Sequence, residues 1–537
     1  MKKISNLLMM VLLAIGMGLT SCDEQLDNAV NPGVGEVTNI EFDLSKIDAK
    51  YLDSGKTKLQ LTVGDVVTLS FTILPEEAAD TKVELTAGDA TILSIDGLKV
   101  TVLKEGETKV TAKAGDATAE IPVTVAAKGP VDLSMVDCAG NPRDKQWTAN
   151  CYMVHTAGDY KLPLVYGNAI KNGAPNNAAW TGVSGQLATF TNHANKPITD
   201  PWIKNNKDES NNDIVVSTAE LLWQDAEGLI TAVGIIDDYL TLTVGKNASE
   251  QEGNALIAAK DDGGKIVWSW HIWVTKETFA DDKLTTIATG SYNYKVTPVN
   301  LGWVSTSLDG KRGYNTYYQW GRKDAFIPGT WNATTNHTVY NINNNEVIGL
   351  TPSTTTATIA DNIQNPMTFY KNSTNGPCNT QHYNMWDAQQ VEKGQEVLKN
   401  ITTATVKTVY DPCPAGFCVP TSNLFSFMCN GVAVDPNNNN NHAEERNEAD
   451  WDGTNNGKTW KQANYSTNTT GPDLYFPAVG RRKDDGTFTQ VGERCSIWSA
   501  SPDSQNCGRS LEVFPEKWQN TWNGRFFGFP VRAVAEE

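Results

Sequence analysis

The sequence predicts a mainly β chain built from several modules. Three observations carry that reading. Apolar residues alternate with period two in short runs, turn-forming residues separate the runs, and aromatics are plentiful, with 16 Trp and 16 Tyr in 537 residues. Period-two alternation puts one face of each run on a core, and short runs at regular spacing fit sandwiches better than helices. Abundant Asn, Gly and Thr favour β-structure with long polar loops over helical bundles. The length suggests about three domains of ordinary size.

The first 21 residues read as an export signal. Lys2 and Lys3 form a basic start, and Leu7 to Leu19 is apolar but shorter than the ~20 residues a membrane-spanning helix needs. Leu19-Thr20-Ser21-Cys22 follows. This stretch resembles a bacterial lipobox. The resemblance implies loss of residues 1–21 and a lipid on the Cys22 thiol, so the membrane is an expected partner through that anchor. An ordinary secretory signal with an incidental Cys22 is the alternative. Several acyl chains, at ~0.8 kcal/mol per buried methylene, would hold the protein at a bilayer. Asp23, Glu24 and Asp27 resemble the acidic tag of Bacteroides-group lipoproteins, which implies the outer membrane, facing the cell exterior. Residues 22–36 lack apolar periodicity and read as a flexible tether.

Charge excludes one class of partner. The formal charge of −18 falls by two more when Lys2 and Lys3 leave with the signal. Nucleic-acid binding needs clustered Lys and Arg, which this acidic chain lacks.

From residue 37 the runs are Leu59, Leu61 and Val63, then Val67, Leu69, Phe71 and Ile73. Val100 and Val102 follow, then Val110 and Ala112, then Ile121, Val123 and Val125. Gly64-Asp65, Pro75, Asp96-Gly97, Gly106 and Gly115-Asp116 break them. An N-terminal β-sandwich over 37–127 is expected. The segment running from LTVGD to AEIPVTV resembles the group 2 bacterial Ig-like domains, although Val83-Glu84-Leu85 stand where the family carries a tryptophan. The resemblance implies a spacer with no catalytic constellation.

Residues 128–280 read as a second β-rich domain. In GNALIAAKDDGGKIVWSWHIWVT, Asp262-Gly263-Gly264 marks a hairpin turn. Val267 is out of phase with Trp268, Trp270, Ile272 and Val274 on the second arm. Ser269, His271, Trp273 and Thr275 carry bulk on its other face, so cover on both sides is expected. The segment looks like one found ahead of the C-terminal module in Bacteroides surface lipoproteins.

Residues 281–537 carry six ordered blocks: VNLGWV, YYQWGRKDAF, YDPCPAGFCVPT, YFPAVGRR, IWSASPDS and FPVRAV. The set resembles the Fibrobacter succinogenes major paralogous domain. That implies an α+β, C-type-lectin-like module with small sheets, long loops and adjacent ends, similar also to the formylglycine-generating enzyme fold.

Eight cysteines besides Cys22 permit disulfides in an exported chain: Cys138, Cys151, Cys378, Cys413, Cys418, Cys429, Cys495 and Cys507. Cys413 and Cys418 are C-x4-C with Pro412 and Pro414 flanking the first, unlike a C-x-x-C redox clip. A zinc site would need two more ligands at matching spacing, and Cys429 and His442 do not supply it. The pair therefore reads as a folded landmark, buried or bridged. Cys138–Cys151, Cys413–Cys418, Cys418–Cys429 and Cys495–Cys507 are the pairings that stand open. The formylglycine-generating likeness implies a further alternative, a reactive pair at Cys495 and Cys507.

The sequence shows no G-x-S-x-G, H-E-x-x-H or P-loop motif, so no catalytic residue and no cofactor are assigned. Glu448, Asp450, Asp452 and Gly453 resemble the start of a calcium loop, but Thr459 stands where the closing Glu belongs. No metal is assigned. Sugar sites need an aromatic face ringed by amides and carboxylates. Trp451, Trp460, Tyr465, Trp518 and Trp522 lie in Asn-, Gly- and Thr-rich segments and are the candidate glycan-binding residues. The alternative for each is packing of a loop-rich core. The reading that unites these features is a surface lipoprotein that captures a ligand, such as a glycan or a surface protein, or serves in adhesion, as a fimbria-associated component. A modification enzyme and a purely structural subunit are the competing classes.

Overall fold

The computed structural model describes residues 36–181, 190–289, 292–371, 382–390, 404–430, 442–445, 450–460, 469–504 and 506–536. The chain is mainly β, with helix restricted among the described residues to short segments such as Ile359–Gln364 and Ser422–Asn430. It divides into two compact units, residues 1–129 and 130–537.

The first unit is a β-sandwich. One sheet orders the strands Leu59–Thr62, Ala117–Ala126, Gly106–Ala114 and Glu84–Ala87; a second orders Val66–Thr68, Lys99–Val102 and Leu93–Asp96. Their inward residues, Leu59, Leu61, Val67, Val100, Val102, Val110, Ile121, Val123 and Val125, form one buried core. The alternating run from Val67 to Ile73 is not one strand. Val66–Thr68 pairs with Lys99–Thr101, whereas Phe71–Leu74 pairs with Asn39–Phe42. The chain changes partner at Leu69 and Ser70, whose backbone bonds go to Leu98 and Asp43.

In the second unit, the Gly253–Asp261 and Ile266–Val274 strands form the expected hairpin. Gly264 turns it at a φ of +79°, a conformation costly for residues with a Cβ. Ala259 pairs with Trp268 and Lys260 with Ile266, which leaves Val267 as the extra residue of a β-bulge. The bulge is the physical reason for the broken phase in the sequence. Cys151–Val154 extends the sheet as a parallel neighbour of His271–Val274. Gly158–Pro163 joins a different sheet, paired with Tyr239–Val244.

Both faces of Ile266–Val274 are buried. Trp268 donates from Nε1 to Asn150 Oδ1 at 2.9 Å on one side, and Trp273 donates to the Trp303 carbonyl at 3.1 Å on the other. Residues 128–280 and 281–537 therefore share a single apolar core running from Leu133 to Val534. Within the C-terminal part, Val534–Ala535 lies between Phe417–Cys418 and Asn293–Val296 in a five-stranded sheet. Cys495–Ser504, Cys507–Val513 and Lys517–Gly524 form a meander completed by His442–Glu445.

Candidate functional site

The five aromatic candidates have different fates. Trp460 and Trp518 are both 0 % exposed, which corrects their reading as ligand platforms. Trp518 packs edge-on against Phe476, with ring centroids 5.2 Å apart. Both rings build the loop-rich core, where burial of a large apolar surface is worth more than display. Trp451 is half-buried in a short strand paired with Lys458. Tyr465 lies outside the described residues, as do Cys22, Cys378 and Glu448.

Trp522 is the residue on display, 51 % exposed. It stands on the Lys517–Gly524 strand, directly opposite Arg509 on the neighbouring strand. Opposed residues of an antiparallel pair share a face, with Cβ atoms ~5 Å apart. Strand alternation also puts Asn520 on that face. Asn520 donates to Ser426 Oγ at 2.5 Å and to the Ser422 carbonyl at 3.2 Å, so helical cover reaches Asn520 but leaves Trp522 open. Arg509 makes an ion pair with Asp503 at 2.6 Å. Burial raises the Asp503 carboxyl, and the Arg509 and Arg525 charges oppose that shift. The result is an exposed indole beside a guanidinium–carboxylate pair. Such a surface offers an apolar, electron-rich face to C–H groups and a donor and an acceptor to hydroxyls.

The cysteines are thiols rather than bridges at Cys138, Cys151, Cys413, Cys418 and Cys495. This corrects the Cys138–Cys151, Cys413–Cys418 and Cys418–Cys429 pairings. Cys138 donates instead to the Ala415 carbonyl, at 3.6 Å. Cys495 lies opposite Val513, whereas Cys507 sits at the far end of the same hairpin opposite Ser504 and Gly524. The offset of six residues is about 20 Å along a strand. A disulfide needs Cα atoms within ~7 Å, so neither a bridge nor a reactive pair joins them. Burial pushes the Cys138 and Cys495 thiols up to about 12, and those of Cys151, Cys413 and Cys418 well above their ordinary value. Cys429 is buried in the Ser422–Asn430 helix.

The 410–420 block is a cradle for a cation. Lys407 Nζ is buried and donates to the carbonyls of Cys413, Pro414 and Phe417, at 2.8, 2.9 and 2.6 Å. Asp411 sits 3.6 Å from it and accepts from the Cys413 and Val419 amides at 2.7 and 2.9 Å. Gly416, at a φ of +87°, lets the turn close. The prolines and glycine thus shape carbonyls around an ammonium, with the Cys413 and Cys418 thiols buried beside it. Lys407 carried no signal in the sequence that would have marked it.

In the stretch that resembles the start of a calcium loop, Asp452 is engaged by Lys311 at 3.1 Å and by Asn455 Nδ2 at 2.8 Å. Among the described residues no cluster of metal-ligating side chains occurs. Among them, too, no helix is long and apolar enough to cross a membrane.

No family model and no curated protein matches this chain. Solved structures similar to parts of it include domains 4 and 5 of the S-layer protein SbsC, at 18% identity and a TM-score of 0.15, covering 45% of this chain and 99% of that one. The titin domains z1z2 in complex with telethonin match at 9% identity and 0.12, covering 41% and 92%. The Bacteroides ovatus mixed-linkage glucan utilization locus protein SGBP-B, in complex with a heptasaccharide, matches at 11% identity and 0.13, covering 45% and 48%. These neighbours are β-rich, surface and glycan-binding proteins among them, and scores of this size carry no argument about function.

Proposed function

We propose that this protein is a lipid-anchored surface adhesin or ligand-capture protein that binds a glycan on Trp522. Cys22 carries the lipid, the sandwich of the first unit is a spacer, and the second unit carries the recognition surface at the outer face of the outer membrane. The observation that supports this reading is Trp522, half-exposed on a rigid sheet beside the Arg509–Asp503 pair. An exposed indole costs free energy in water, and a ligand stacked on it removes that cost. The rigid sheet adds weight, because a platform held by a strand loses little entropy on binding. The separation of Cys495 from Cys507 favours capture over the modification-enzyme alternative.

The test is a glycan array probed with the full chain and with Trp522→Ala. Binding by the wild type that the variant loses supports the reading. Silence of the wild type across host and plant glycans, or equal binding by both proteins, overturns it. Mass spectrometry of the membrane-extracted protein checks the anchor, which an unacylated Cys22 would refute.

A further inference from the structure

A cleft of about 230 Å³ lies apart from the tryptophan platform, lined by residues 298–300, Trp303, the 309–311 loop, Tyr475, Pro477, Glu277, Asp473 and Arg532. That is below the ~300–1,000 Å³ of drug-sized sites and has room for one small molecule. Its apolar wall is Pro298, Val299, Trp303 and the half-buried ring of Tyr475.

Five charged residues line the cleft, the acids Glu277, Asp309 and Asp473 and the cations Lys311 and Arg532. Asp309 accepts from Ser307 Oγ at 2.6 Å, and the opposite charges of Glu277 and Arg532 do not close on each other. Arg532 is 1 % exposed and spends its hydrogen bonds on neutral acceptors. Nε donates to Asn300 Oδ1 at 2.8 Å, Nη1 to the Thr297 and Pro298 carbonyls at 3.2 and 2.7 Å, and Nη2 to the Tyr475 carbonyl at 2.9 Å. Nη2 keeps a second N–H beyond that bond. Glu277, a half-buried residue of the lining, has a carboxylate that makes no hydrogen bond and no ion pair among the described residues. Lys311, the other cation of the lining, is held by Asp452 at 3.1 Å. Burial pulls Arg532 down to about 10 and raises Glu277, and each feels the other's charge. Keeping two partly desolvated charges apart costs free energy that a direct ion pair would recover.

We propose that this cleft binds a small zwitterion of the α-amino-acid class, its ammonium on Glu277, its carboxylate toward Arg532 and its apolar part along Tyr475 and Trp303. A neutral sugar ring would use the aromatic wall but has no use for separated charges. The opposed charges of an amino acid complete both.

The experiment is titration calorimetry of the full chain with the twenty common amino acids, glucose and galactose. The best ligand is then repeated with its amine acetylated and, separately, with its carboxylate amidated. The expected result is binding of at least one apolar amino acid, weakened tenfold or more by either blocking group and by Glu277→Gln. Glu277→Gln should keep the wild-type melting temperature, and Trp522→Ala should bind the amino acid as wild type does. No heat with any amino acid at millimolar concentration overturns the proposal. So does equal affinity for the blocked forms, an unchanged affinity in Glu277→Gln, or preference for the neutral sugars. Loss of glycan binding in Trp522→Ala bears on the other surface alone.

Discussion

Asn254 fixes the tautomer of His271. Asn254 Nδ2 donates to Asp225 Oδ2 at 2.8 Å and to the Gly302 carbonyl at 3.0 Å, so its Oδ1 is the acceptor for His271 Nε2, 2.9 Å away. The bare Nδ1 then accepts from the Tyr318 hydroxyl at 3.4 Å. A neutral imidazole is satisfied on both sides, and protonation would place a proton against a donor. Burial pushes His271 down to about 3.

This predicts a pH dependence of stability. The unfolded histidine titrates near 6.5, above the folded value. Between those values the unfolded state holds the extra proton, so the contribution of His271 is complete above pH 6.5 and fades as pH falls toward 3. Its slope is at most ~1.4 kcal/mol per pH unit. Asp225, raised by burial to about 6, acts with the opposite sign between its ordinary value and 6. Urea unfolding of wild type and His271→Asn at pH 4, 5, 6 and 7 isolates the histidine. The difference between the two curves should narrow as the pH falls, and parallel curves would refute the account.

Lys407 should be indispensable to the second unit. Removing one partner of a buried charge pair costs ~3–5 kcal/mol. Lys407→Met leaves Asp411 and three carbonyls buried without their cation. The expected loss, read by chemical denaturation, is of that size. A change under ~1 kcal/mol would place it in the range of an ordinary surface ion pair.

The tryptophans should separate by measurement. Trp460→Ala and Trp518→Ala each empty a core position and should cost ~3–5 kcal/mol of stability. Trp522→Ala should leave the melting temperature nearly unchanged while abolishing glycan binding. Trp522→Phe, which keeps an aromatic face, should retain part of the affinity.

The thiols of Cys138, Cys151, Cys413, Cys418 and Cys495 should be silent to an alkylating reagent in the folded protein. Each is buried and far from its thiolate form at neutral pH. In denaturant all five should react, and peptide mapping of the labelled protein should find the adduct on each. Fast labelling of Cys495 in the native state would revive the enzyme alternative.

The strands were legible because alternation reports burial directly. The broken phase at Val267 was visible there, and the pairing shows that a bulge causes it. The break at Leu69 and Ser70 was not legible, since a run that changes sheets keeps its alternation while its hydrogen-bond partners change. Among the aromatics, composition around Trp518 and Trp522 is alike, and only register and helical cover separate a core ring from a displayed one. Arg532 and Glu277 lie far apart in sequence and carry no shared motif, so the cleft they face could not be read from spacing.

The position of Val534–Ala535 bears on how the chain comes to be folded. This two-residue strand fills an interior slot, flanked by Phe417–Cys418 and Val296. A ribosome delivers those residues after every neighbour that awaits them. The five-stranded sheet therefore keeps a vacancy between Phe417–Cys418 and Asn293–Val296 until Val534–Ala535 has been made, and those two strands cannot join one sheet before then.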